Sequence, residues 1–193
     1  MNEELRSTLL GLVAEDQRVR QALLTGGVLF DGYHPQMEAV HRANAAALRT
    51  LIARHGWPDV SIAGQDGCEA AWLIAQHAIG EPDFMRTCRA LIEVAAQAGN
   101  APRWQFAYID DRIRSYEGRP QRYGTQMDLT PTGPQPLALE EPDAVDARRS
   151  EVGLASLAEA LGRAASDALP SLEEYDLRQA QGRAWARRVG WQA

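Results

Sequence analysis

The sequence predicts a mainly α protein: an antiparallel multi-helix bundle with a small β-hairpin or extended loop after the fifth helix. Three observations predict it. Apolar residues recur at helical spacing through most of the first 118 positions; prolines open these runs and glycines close them; and the connections between runs are short. The 193-residue chain has the length of one domain and can bury a core without disulfides or metal staples. The expectation is therefore a single domain over 1–193. It comprises a helical core at about 2–118, a polar loop or hairpin at about 119–142 and C-terminal helices at about 143–193.

The first helix is expected from about Asn2 to Leu24, where Leu5, Leu9, Leu12 and Val13 lie at helical spacing and Thr25-Gly26-Gly27 stops the pattern. Val28 to Tyr33 reads as a loop or short extended stretch. Pro35 suits the first turn of a second helix running to about Arg54, which His55-Gly56-Trp57-Pro58 ends. A third helix, about Asp66 to Ile79, is closed by Gly80. A fourth opens at Pro82, runs to Ala98 and turns Phe84, Cys88, Leu91, Ile92 and Ala95 inward. A fifth runs from about Pro102 to Tyr116. Arg122 to Leu129 and Pro136 to Leu139 flank Thr130-Pro131-Thr132-Gly133-Pro134 and predict the hairpin or extended loop. Short helices are expected over Asp143 to Gly153 and Leu154 to Ala168, and a final one over Leu172 to Val189. The Pro-rich stretch 131–142 is the candidate linker.

Composition excludes more than it suggests. All 20 basic residues are arginine, so a Schiff-base or pyridoxal phosphate lysine, a P-loop lysine and a kinase-type lysine are ruled out. No G-x-S-x-G, H-E-x-x-H or G-x-G-x-x-G pattern occurs. A net charge of −6 disfavours nucleic acid as a partner, and the arginines at 178, 183, 187 and 188 read as a solvated helix face. No apolar run reaches the length of a membrane span, and the acidic start Asn2-Glu3-Glu4 lacks the form of a secretory signal; a soluble, cytoplasmic protein is expected. Cys68 and Cys88 match no metal or redox spacing and read as small buried hydrophobes.

The candidate site comes from polar residues that interrupt apolar stripes. The third helix is apolar all round until Gln76 and His77, so both are expected in the interior, where each needs a partner. At about 100° per residue, Met37, His41, Asn44, Leu48, Leu51 and His55 share one stripe of the second helix, which puts His41 and Asn44 on its packing face. The bland alternative for that pair is a satisfied structural contact. His55 reads as a helix-end cap. On the fifth helix Asp111 projects from the face of Trp104, Ala107 and Tyr108, and a buried carboxylate there requires a cation or several donors. His77 or Arg112 could supply them, and a helix-to-helix Asp111–Arg link is the structural alternative. Asp110 points elsewhere and is expected in solvent. Beyond this helix, Pro120-Gln121-Arg122-Tyr123-Gly124-Thr125-Gln126 is rich in hydrogen-bonding groups around a permissive glycine. It suits either a pocket wall or a loop that satisfies itself.

The motifs His55-Gly56-Trp57-Pro58, Gln76-His77-Ala78, Ala107-Tyr108 with Asp111-Arg112, and Gln121 with Tyr123-Gly124-Thr125-Gln126, in that order, resemble a bacterial family catalogued only as a domain of unknown function (DUF6624-like). The resemblance covers about residues 35–155. It implies that these residues form the family's common core and site, with no activity to transfer. Where relatives carry a small or acidic residue after Gln-His-Ala, this chain has Ile79.

The functional expectation is an enzyme doing acid–base or hydrolytic chemistry on a small polar molecule, with His77 and Asp111 as catalytic residues. His41, Asn44, Gln76, Tyr108, Arg112, Gln121, Tyr123, Thr125 and Gln126 are the candidate substrate contacts. A metal set of His41, His77 and Asp111 is the fallback, suited to iron or zinc; the cofactor is otherwise unknown. The alternative class is a non-catalytic ligand sensor or accessory protein with an exposed apolar surface near Trp185 and Trp191. For those tryptophans, packing back on the helices is the preferred expectation.

Overall fold

The computed structural model describes residues 1–27, 33–164 and 168–192. The stretch 28–32 of the expected loop and 165–167 near the end of the expected 154–168 helix lie outside the described residues. The architecture is mainly α, with one two-stranded sheet after the fifth helix. The described residues group into two compact units, Met1–Pro102 and Arg103–Ala193. No helix is long and apolar enough to cross a membrane.

The first unit holds four helices: α1 (Glu3–Thr25), α2 (Pro35–His55), α3 (Val60–His77) and α4 (Pro82–Gln97). Each begins where a local group satisfies the free N–H groups of a first turn, or where proline makes one unnecessary. Asn2 accepts from the Leu5 N–H at 3.0 Å, and Glu3 and Glu4 follow it at the positive end of the helix. The His34 ring nitrogen Nδ1 accepts from Gln36 N–H ahead of α2, and Pro35 occupies the first position. α1 packs on α2 and α3, α2 on α3, and α3 on α4. Leu5, Leu9, Leu48, Ile74, Met85 and Ile92 are among the side chains that fill this unit's core.

α3 starts earlier than the sequence pattern predicts. Asp59 accepts from Ser61 and Ile62 N–H and opens a first turn. The helix then breaks at Gly64 (φ 73°, ψ 173°) and resumes near Asp66, the expected start. The positive φ favours glycine there. Asp66 also takes a two-pronged ion pair from Arg6 of α1.

The second unit holds α5 (Arg103–Tyr116), β1 (Met127–Thr130), β2 (Gly133–Pro136), a 3-10 turn (Pro142–Ala144), α6 (Val145–Glu151), α7 (Leu157–Arg163) and α8 (Leu172–Arg188). The strands pair antiparallel, Met127 with Pro136 through Thr130 with Gly133. The stretch proposed as a linker is thus ordered structure: it contributes β2, and Gln121 forms a bridge with Leu139. Arg178 reaches from α8 to Asp128 and to the Leu129 carbonyl on β1, so it is tied down, while Arg183, Arg187 and Arg188 are exposed as expected. The tail tryptophans pack against α5. The Trp191 ring stacks on Tyr116 at 5.1 Å and Trp185 approaches the same ring at 5.8 Å.

Candidate functional site

In the first unit, three polar side chains from three helices meet. His77, at the last position of α3, has Nδ1 2.8 Å from Oδ2 of Asp16 on α1. His41, from the middle of α2, places Nε2 3.2 Å from the same oxygen, without hydrogen-bond alignment. The imidazole centroids are 4.8 Å apart. The other ring nitrogen of His41 lies 2.7 Å from the Tyr33 hydroxyl. That contact orients the imidazole.

Burial is graded across the cluster. The Asp16 side chain is 3% exposed, His41 10% and His77 22%, so solvent reaches the group along the His77 edge. Burial pushes the Asp16 carboxyl up, but the close approach of the two histidines outweighs it and holds the group well below the usual carboxylate range. Asp16 Oδ1 accepts no hydrogen bond among the described residues. Gln76, next to His77, is 2% exposed, as its place on an all-apolar helix predicts. Asn44, one turn beyond His41, donates to the Leu12 carbonyl at 3.2 Å and ties α2 to α1.

In the second unit, Asp111 is fully buried and serves as the acceptor around which the 120–126 loop folds. Oδ1 accepts from Arg122 and Tyr123 N–H at 2.7 and 3.1 Å, and Oδ2 accepts from Tyr123 N–H and from the N–H and hydroxyl of Thr125 at 3.0–3.1 Å. Its requirement is therefore met by several donors rather than by a cation. Burial raises the carboxyl above its ordinary value, and the donated hydrogen bonds oppose the rise without cancelling it. Gln121 acts as a surrogate peptide group: its Nε2 donates to the Gln126 and Leu137 carbonyls, and its Oε1 accepts from Gln126 N–H. Arg149, nearly buried, donates to the Tyr123, Gly124 and Ala155 carbonyls.

Arg112 donates from Nε to Gln126 Oε1 at 3.0 Å, and Gln126 Nε2 donates to the Thr125 hydroxyl. Burial pushes the Arg112 guanidinium below its usual value, while Tyr116 and Tyr108 act against that. Tyr108 meets Trp104 edge-on, their rings 6.1 Å apart. Asp110 is 4% exposed, which corrects the expectation of a solvated side chain. α5 buries residues on most of its circumference, Gln105 included, and so leaves little of itself to water.

A family model described as a family of unknown function (DUF6624) matches residues 3–172. The chain belongs to that family. No match was found among curated proteins or among solved structures. The DUF6624 match reaches beyond the stretch 35–155 carrying the resemblance in sequence, and takes in all of the described α1 together with Asp16.

Asp16 is the residue that sequence reasoning missed in this DUF6624 chain, and Tyr33 the second. The signal for Asp16 was present. At about 100° per residue, position 16 falls inside the arc of Leu5, Leu9, Leu12 and Leu23, so an acid stands in the middle of the packing stripe of α1. Tyr33 carried no comparable signal, because it lies outside any periodic element.

Proposed function

We propose that this protein is a hydrolytic or acid–base enzyme acting on a small polar molecule, with Asp16, His41 and His77 as its reacting centre. One observation carries it: a single buried oxygen, Asp16 Oδ2, faces two imidazole nitrogens at 2.8 and 3.2 Å. A carboxylate accepting from Nδ1–H of an imidazole leaves the lone pair on Nε2, orients the ring and stabilises the cation formed when Nε2 takes a proton. In the proposed step His77 Nε2 removes a proton from water, and the water oxygen bonds to the electrophilic carbon or phosphorus of the substrate. The bond to the leaving group breaks and the proton passes from His77 to that group. His41, held by Tyr33, supplies a second donor or acceptor beside the reacting atoms. The low exposure of the cluster, 22% at its most open residue His77, favours a small substrate.

The carboxylate role expected for Asp111 passes to Asp16 in this proposal. Asp111, Gln121, Thr125 and Gln126 are assigned to building the loop, since the hydrogen bonds above occupy their side-chain polar groups, and Tyr108, Arg112 and Tyr123 remain the candidate polar contacts of the second unit. A cytoplasmic setting belongs to the same proposal; two buried cysteines outside any disulfide suit a reducing compartment.

The test is hydrolysis of a panel of activated small esters, amides and phosphoesters by the full chain and by His77→Gln, Asp16→Asn and His55→Gln. His55→Gln should retain the wild-type rate, and the other two should lose at least about 100-fold in kcat. Equal rates in His77→Gln and the wild type would refute the proposal.

A further inference from the structure

We infer that Asp16, His41 and His77 bind one divalent transition-metal ion of the zinc type. This deepens the proposed function and rests on it for the purpose of the ion, though not for its binding.

The ligand atoms of the three residues all lie within 4.8 Å of one another. Metal–nitrogen and metal–oxygen bonds of about 2.0–2.1 Å in a tetrahedral site separate neighbouring ligand atoms by about 3.3 Å. The two contacts at Asp16 Oδ2, 2.8 and 3.2 Å, are close to that spacing already. A second observation points the same way. Asp16 is 2% exposed, yet Oδ1 has no hydrogen-bond donor among the described residues, and His41 Nε2 faces the carboxylate without bonding to it. A buried carboxylate normally fills its acceptor sites; one left half-filled beside two imidazoles has room for a cation.

The surroundings fit as well. The 2.7 Å contact between His41 Nδ1 and the Tyr33 hydroxyl suits the outer hydrogen bond of a ligating histidine: in the tautomer whose Nδ1–H donates to that hydroxyl, the Nε2 lone pair is aimed into the cluster. Three protein ligands with solvent at one edge leave a position open for water, the pattern of a catalytic rather than a structural zinc site. Two imidazoles and one carboxylate favour zinc, iron or cobalt over calcium or magnesium. Held by Asp16, His41 and His77, such an ion would supply activation of water by lowering its pKa, in place of proton removal by His77 Nε2.

The test uses the full chain freed of metal with a chelator, then titrated with Zn²⁺ by calorimetry and with Co²⁺ by visible absorption. The expected result is one ion per chain, with the intense Co²⁺ bands of a four- or five-coordinate site. Asp16→Asn and His77→Gln should lose that site, and Tyr33→Phe should keep it with an affinity roughly 10–100-fold weaker. His55→Gln should bind as the wild type does. Substoichiometric binding by the wild type, or wild-type binding by Asp16→Asn and His77→Gln, would overturn the inference. If those two variants do not fold, the Tyr33→Phe and His55→Gln pair decides: unchanged affinity in the former with loss in the latter rejects the site. Full hydrolysis by the chelated, ion-free protein would reject a catalytic purpose for the ion while upholding the proposed function. One bound ion with no hydrolysis in either form would uphold the ion and remove that function.

Discussion

Asp16 Oδ2 and His77 Nδ1 lie 2.8 Å apart although 61 positions separate them in the chain. α1 packs directly on α3, and the acid occupies a place in the α1 stripe where a leucine would have served packing better. A buried ion pair is weak grounds for stability, because desolvation offsets much of the attraction. The cluster is therefore better explained by chemistry than by folding. Asp16→Ala is expected to cost about 1–3 kcal/mol in urea denaturation.

Asp111 should behave in the opposite way. Removing its carboxylate leaves the N–H groups of Arg122, Tyr123 and Thr125 and the Thr125 hydroxyl without their acceptor. Asp111→Ala should destabilise the protein by about 3–5 kcal/mol, and Thr125→Val by about 1 kcal/mol. Urea denaturation of both variants checks this, and a loss under about 1 kcal/mol for Asp111→Ala would contradict the role given to it.

Gly124 holds φ +64°, and a Cβ there would stand 3.0 Å from Leu157 Cδ1 and 3.3 Å from Leu139 Cδ2. Gly124→Ala should cost about 1–3 kcal/mol from backbone strain and crowding together. Thermal unfolding reads this, and a neutral or stabilising outcome would show that the loop can shift away from both leucines.

Cys68 and Cys88 are fully buried and not disulfide-bonded, and burial pushes the Cys88 thiol up to about 12. A thiol this far from its thiolate and shut off from solvent does not react. Neither should be modified by Ellman's reagent at pH 8 in the folded protein, and both should react in denaturant. Rapid native labelling would contradict the packing of α3 and α4.

The helices were legible because helical periodicity is local: the stripes of α1, α2 and α4 can be read from a few residues, as can the proline starts and glycine stops. The polar interruptions at His41, Asn44, Gln76 and His77 were legible for the same reason. What no local pattern supplies is the choice of partner. Asp111 could have taken a cation, and its adoption by four donor groups of the 120–126 loop follows from how that loop folds back. Asp16 was readable from the same arithmetic that exposed His41, since an acid within a leucine stripe is the same anomaly. The turn before Gly64 escaped the helical pattern because one glycine of positive φ interrupts it, and Asp110 was misplaced because α5 buries more than one face.

The most direct measurement of the central claim, that one carboxylate joins two imidazoles, is long-range ¹H–¹⁵N correlation of the four histidine rings in the wild type and in Asp16→Asn. The account predicts that the ring nitrogens of His41 and His77 both move while those of His34 and His55 hold still, in a variant whose amide spectrum remains dispersed. Unmoved signals for His77 in that folded variant would contradict it.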